Sequence, residues 1–200
     1  MSMPEKDLFQ HYAYSTLKEA LLGIDRKTAK DVYALSFLIT CEDDDLRYPL
    51  VEVSYNTAKN ARAQLPESDN EQDARWNFAG WLQDMVCMVG GMEDVLWQNF
   101  IRASGFWYSD EENERSFTDE STFHQVEEKG IELFSAFIEV LVECAQTLAR
   151  ENVLVQVFGR RIPILLHDLE YSEAAAEWTQ DANPPALIAD WLKYLDEMGE

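Results

Sequence analysis

The stretch Asp31-Val32-Tyr33-Ala34-Leu35-Ser36-Phe37-Leu38-Ile39-Thr40 decides the class of fold. Tyr33, Leu35, Phe37 and Ile39 alternate with Val32, Ala34, Ser36 and Leu38, a period of two in which neither face carries charge. A strand apolar on both faces must be covered on both faces, so it belongs within a sheet flanked by other elements. After the acidic run Glu42-Asp43-Asp44-Asp45, residues 50–55 alternate again, Val51, Val53 and Tyr55 against Leu50, Glu52 and Ser54. This reads as a half-exposed strand, the hairpin partner of the first.

On the N-terminal side, Phe9, Tyr12, Ala13, Leu17, Ala20, Leu21 and Ile24 recur at three- and four-residue steps and predict a helix over 8–24. On the C-terminal side, Asn56 is the expected cap of a short helix reaching Leu65, and 66–73 is an acidic loop. Residues 75–89, rich in Trp and Met without clear period, read as helix or mixed structure, and Gly90-Gly91 breaks the chain before a helix over 92–103 that Gly105 ends. From 106 to 128 there are eight acids and one Arg, read as a long surface loop at least to about residue 119. Thr118 or Ser121 can then cap a long amphipathic helix near 121–150, with Ile131, Phe134, Ile138, Leu141, Ala145 and Leu148 as its apolar stripe. Val153, Val155 and Val157 alternate with their neighbours, Gly159-Arg160-Arg161 turns the chain, and 162–167 alternates again, which predicts a second hairpin. Pro163 lacks a ladder donor, which assigns that strand to a sheet edge or the Pro to its first positions. Asn183-Pro184-Pro185 supplies a cap and a first-turn proline for a closing helix whose inner face is Leu187, Ile188, Trp191, Leu192 and Leu195. The expectation is one α+β domain over 1–200, a small, mainly antiparallel sheet from two hairpins packed with several helices.

Composition narrows function more by exclusion than by choice. Sixteen Lys plus Arg face 38 Asp plus Glu, a formal charge of −22, and such a field repels nucleic-acid phosphates and anionic membranes. It favours a basic protein partner. Cys41, Cys87 and Cys144 are widely spaced and form no C-x-x-C pair, which argues against a disulfide framework and for a reducing compartment. Residues 1–12 carry Glu5, Lys6 and Asp7 and no export signal, and the longest uncharged apolar run, 32–41, is about half the roughly 20 residues a membrane span needs. A cytoplasmic protein is expected.

No catalytic motif stands out, and no cofactor or metal is expected. His11, His124 and His167 are scattered; His167-Asp168-Leu169-Glu170 is the most metal-like cluster, but neighbouring strand residues point to opposite faces, so it reads as a solvated strand end. The Glu42 to Asp45 run lacks the spaced oxygens and central Gly of a calcium loop. No nucleophile elbow or Cys-His pair is visible, Cys87 reads as a small core residue, and Gly90-Gly91 is too short to cradle a phosphate. The candidate binding residues are Trp107 and Tyr108, aromatic anchors beside Asp110, Glu111, Glu112 and Glu114, together with Asp43, Asp44 and Asp45.

Several blocks carry a family likeness. Tyr33-Ala34-Leu35-Ser36-Phe37, the loop to Asn56-Thr57, Arg75-Trp76-Asn77-Phe78-Ala79-Gly80-Trp81, the long helix from Glu127, and the closing hairpin followed by Asn183-Pro184 resemble the bacterial proteins grouped as domain of unknown function family 4303. The likeness runs over nearly the whole chain, though the acidic loop at 110–120 is longer than in that family. It brings no catalytic residues; what it implies is a setting, that of immunity proteins beside polymorphic or contact-dependent toxins. The reading that follows is a non-enzymatic protein neutralising a basic, nuclease-like toxin. The alternatives are a carboxylate-based, metal-assisted enzyme acting on a small polar substrate, and a structural or regulatory module whose acidity serves solubility alone.

Overall fold

Alternation at 32–41 produces the central strand of a four-stranded sheet, in a computed structural model that describes residues 4–169 and 171–198. Helix α1 (Pro4–Leu22) and the single turn α2 (Arg26–Ala29) precede β1 (Val32–Cys41), and a 3-10 turn at Glu42–Asp44 returns the chain as β2 (Pro49–Thr57). Then come α3 (Ala58–Gln64), α4 (Glu71–Trp76), β3 (Cys87–Gly90), α5 (Val95–Ala103), α6 (Asp110–Ser116) and the long α7 (Glu120–Arg150). The chain closes with α8 (Val153–Phe158), β4 (Ile164–His167), α9 (Glu173–Ala182) and α10 (Pro185–Met198). The spatial order is β3-β2-β1-β4, with β1 antiparallel to β2, β2 antiparallel to β3, and β1 parallel to β4. The fold is α+β.

Both faces of β1 are buried, each in a different core. Leu35, Phe37 and Ile39 enter the larger core with α1, α5, α7 and α8, where Trp97 lies 5.1 Å from Phe9 and 5.2 Å from Phe137 between ring centroids. Each such side chain removed from water contributes about 1.5–3 kcal/mol. Ala34 and Leu38 enter the smaller core with Trp76, Phe78, Trp81, Trp191 and Tyr194. At the start of the strand the faces are exchanged relative to strict alternation, Val32 joining the larger core and Tyr33 the smaller. The cause is a register shift between Val32 and Ala34, two β1 residues opposing one β2 step, which turns the side chains over.

The β2 strand is far more buried than half, with Glu52 its exposed residue: Val51 and Val53 enter the larger core, while Leu50, Ser54 and Asn56 are buried on the opposite face. Asn56 does not cap α3; Thr57 does, accepting from Asn60 N–H, while the buried Asn56 amide donates to Tyr33 Oη at 2.9 Å. The acidic loop at 66–73 already contains the start of α4, capped by Asn70, and the uncertain 75–89 holds the end of α4, a 3-10 turn at Phe78–Gly80 and β3. On α7, the cap is Asp119 rather than Thr118 or Ser121, and Ile131 is exposed while Val126, Leu133, Phe137 and Cys144 complete the inner stripe.

The second hairpin does not form. Residues 153–158 are helical between left-handed Asn152 (φ 60°) and Gly159 (φ 72°), and β4 joins β1 in parallel. Positions 153, 154, 157 and 158 share one helical face against the core, and that burial overrides the β-propensity of three valines. As Pro163 requires, β4 lies at an edge with the proline just before it. Asn183 does not cap α10 but turns toward β4: Ile164 N–H donates to its Oδ1 (3.0 Å) and its Nδ2 donates to Ile164 C=O (2.7 Å). Thr179 Oγ1 does the same for Leu166, accepting from N–H at 2.9 Å and donating to C=O at 2.8 Å.

Candidate functional site

The turn between β1 and β2 builds the site. Asp43 (φ 53°) and Asp44 (φ 56°) both take the left-handed conformation, which short polar residues tolerate, and the sharp reversal sends Asp45 back against Arg47. The Arg47 side chain is 4% exposed. Its Nε donates to both Asp45 oxygens (3.1 and 3.0 Å), its Nη2 to Asp45 Oδ2 (2.6 Å), and its Nη1 to Tyr108 C=O (3.0 Å) and, as an ion pair, to Asp110 Oδ1 (2.8 Å). The rings of Tyr108, Tyr48 and Trp107 surround the guanidinium at 4.7, 5.1 and 5.3 Å. Burial works to raise the Asp45 carboxyl, but the hydrogen bonds and charge of Arg47 outweigh it and hold it below its usual range. Burial, then Asp45, pushes the Tyr108 phenol up.

Through Arg47 the two acidic segments, 67 residues apart in the chain between Asp43 and Asp110, converge. Helix α6 begins with Ser109 as cap, its Oγ accepting from Glu112 N–H (3.1 Å) while Glu112 Oε2 accepts from Ser109 N–H (2.8 Å). Helix α7 passes close beneath at Gly130, where a Cβ would lie 3.0 Å from the Leu46 side chain and 3.4 Å from Tyr108 Oη. Between turn, α6 and the start of α7 is a cleft of about 640 Å³ lined by Asp43, Asp44, Asp45, Tyr48, Met92, Tyr108, Asp110, Asn113, Phe117, Phe123 and Glu127 among others.

The candidate residues divide accordingly. Asp43, Asp44, Asp45, Tyr108 and Asp110 line the cleft; Trp107, Glu111, Glu112 and Glu114 do not. Trp107 and Tyr108 are not exposed anchors: Tyr108 is 3% exposed and Trp107 is half-buried against Arg47 and Arg102, because the buried arginine draws both rings inward. The exposed aromatics lining the cleft are instead Phe117 at 81% and Phe123 at 45%. The supposed loop is helical, and the Ser109-Asp110-Glu111-Glu112 capping signature was the signal for it. Nothing in local pattern pointed to Arg47, whose role depends on long-range convergence.

His167 is no solvated strand end. Fully buried, it lies 4.8 Å from the Phe78 ring and 4.9 Å from Tyr171 between centroids. Asp168 C=O can only accept, so Nδ1–H donates to it (2.8 Å) and Nε2 accepts from Ser36 Oγ–H (2.7 Å). Burial pushes the imidazole down to about 4. With Ser36 and His167 both at 0% exposure, this pair has no access to a substrate. Glu170 of the metal-like cluster lies outside the described residues, and among the described residues no group of three or more His, Cys, Asp or Glu could hold a metal ion. The thiols are free; burial raises Cys41 and Cys87 to about 11 and Cys144 to about 12, and Cys87 is half-buried on β3 rather than in the core. No described helix is long and apolar enough to cross a membrane. Comparison with protein-family models, curated proteins and solved structures finds no match to this chain.

Proposed function

We propose that the protein binds and neutralises a basic protein partner, an immunity protein against a nuclease-like toxin, acting in the cytoplasm, as the resemblance to family 4303 implies. The observation that carries the reading is the convergence of Asp43, Asp44, Asp110 and Glu127 around one cleft whose rim also exposes Phe117. Carboxylates there stand where substrate phosphates would otherwise meet the partner's basic groups, and the aromatic side chain supplies apolar contact. Arg47 is the internal strut of this surface, its donors already engaged, so the outward charge comes from the acids.

The test is binding to the product of the gene adjoining its own. Asp43→Asn and Asp44→Asn keep a residue that accepts positive φ and, with Glu127→Gln, should weaken binding about tenfold or more, chiefly through slower association at low salt. The matched control neutralises the exposed Glu128, Glu132 and Glu143 of α7. Equal weakening by both would reduce the effect to overall field, and a wild-type chain that neither binds that product nor protects cells from it overturns the reading.

A further inference from the structure

We propose that an extended, basic segment of the partner adds as a fifth strand to the free edge of β3, registering the chain that continues into the cleft at Met92. The inference rests on the partner-binding reading and specifies its docking mode. The two edges of the sheet are treated differently. On β4, Asn183 and Thr179 of the α9 end make the backbone pairings a neighbouring strand would make. On β3 a side chain meets the outward N–H of Gly90 and leaves the backbone of Met88 open. Gly91 N–H donates to Pro49 C=O (2.8 Å), so 49 and 91 form a hydrogen-bonded pair; counting by twos, 51 with 89 and 53 with 87 follow. Met88 and Gly90 therefore direct their backbone groups away from β2. Gly90 N–H is met by Asp94 Oδ2 (3.2 Å), whereas the N–H and C=O of Met88 have no partner among the described residues.

The surroundings specify the occupant. No Lys or Arg occurs over 76–101 or 48–58, while Glu52, Asp84 and Glu93 are exposed around the edge. Glu52 is directly opposite Met88 in the register, and Met85 and Met88 are 58% and 46% exposed, giving adaptable apolar contacts between the acids. A second copy of this chain would bring acids to acids. A strand alternating basic and apolar side chains fits, with main-chain bonds for affinity and the alternate side chains for specificity. The edge is four residues long, so it accepts a short segment and does not template a continuing sheet. At its C-terminal end Gly91 and Met92 pass the Glu42 carboxylate, which accepts from Met92 N–H, and Met92 itself lines the cleft.

The probe is a blocked octapeptide of alternating lysine and valine, compared with the same sequence N-methylated on every residue whose N–H would face the edge. In two-dimensional amide NMR at low salt the first should shift the Met88 amide and its neighbours Val89 and Gly90 saturably and slow Met88 hydrogen exchange, with the N-methylated peptide at least tenfold weaker. Met88→Pro, which removes the outward N–H and is therefore read at the Val89 and Gly90 amides, should abolish their shifts, and Met88→Lys should weaken the response tenfold should the proline variant fail to fold. Equal response to both peptides, no response to either, or shifts confined to Asp43, Asp44 and Asp110 with Met88 unmoved would overturn strand addition. The acid-neutralised cleft variants are judged separately against the natural partner, so strand addition can fail while the binding reading stands.

Discussion

At the scale of single residues, burial decides which polar groups are structural. His167 is neutral in the folded chain because burial in a dry aromatic nest disfavours the charged ring and outweighs the Asp168 C=O and carboxylate, which favour it, while in the unfolded chain it titrates near 6.5. Between those values the unfolded state binds more protons, so stability is fully present above pH 6.5 and is lost as pH falls toward about 4. By pH 4.5 the loss attributable to this residue is roughly 2 to 3 kcal/mol. His167→Gln keeps an amide able to bond Ser36 yet cannot titrate. Urea unfolding from pH 7.5 to 4.5 should show the variant less stable at the upper end and the gap closing by that amount; a gap independent of pH would mean that His167 protonates freely in the native state.

At the scale of elements, side chains substitute for missing secondary structure. Asn183 and Thr179 close the β4 edge, so Asn183→Ala should leave the buried Ile164 N–H and C=O without partners and cost roughly 2 to 4 kcal/mol. Faster amide exchange at Ile164, with Val89 on the opposite edge unchanged, would localise the effect; a cost under about 0.5 kcal/mol would mean water replaces the amide. The same element shows what local sequence carries. The hairpin of β1 and β2, α1, the core of α7 and the proline-led α10 all followed from periodicity and turn residues, because the helices bury one continuous stripe and the strands alternate between two covered faces. Residues 153–158 did not, since alternating valines fit a strand and only packing against α1, α2 and α7 makes them helical. Helix α6 was hidden by its acidity although its capping box was in plain view, and the candidate site was legible in halves: Asp43 to Asp45 and Asp110 stand in two separate acidic segments that line one cleft, but the buried Arg47 that joins them is a tertiary fact.

At the scale of the whole molecule, the charge of −22 opposes the compact state. Seven Lys or Arg contacts to carboxylates occur among the described residues, far too few to neutralise 38 acids. Added salt acts on both terms in opposite directions, so the balance is what matters. Exposed pairs such as Lys193 with Glu197 contribute little and lose little when screened, and the buried Arg47–Asp45 contact is shielded from ions by the rings around it. The long-range repulsion among exposed acids is what mobile ions reach, as the Debye length falls from about 30 Å at 0.01 M to about 8 Å at 0.15 M. The melting temperature should therefore rise with NaCl over that range, measured by calorimetry at pH 7.5 where His167 is silent. The same salt should slow association with a basic partner, since it screens the field that steers it. Stability and binding rate are thus expected to move in opposite directions with ionic strength; a melting temperature that stays flat or falls would mean the acids are arranged far enough apart, or compensated closely enough, that their repulsion is not what limits this fold.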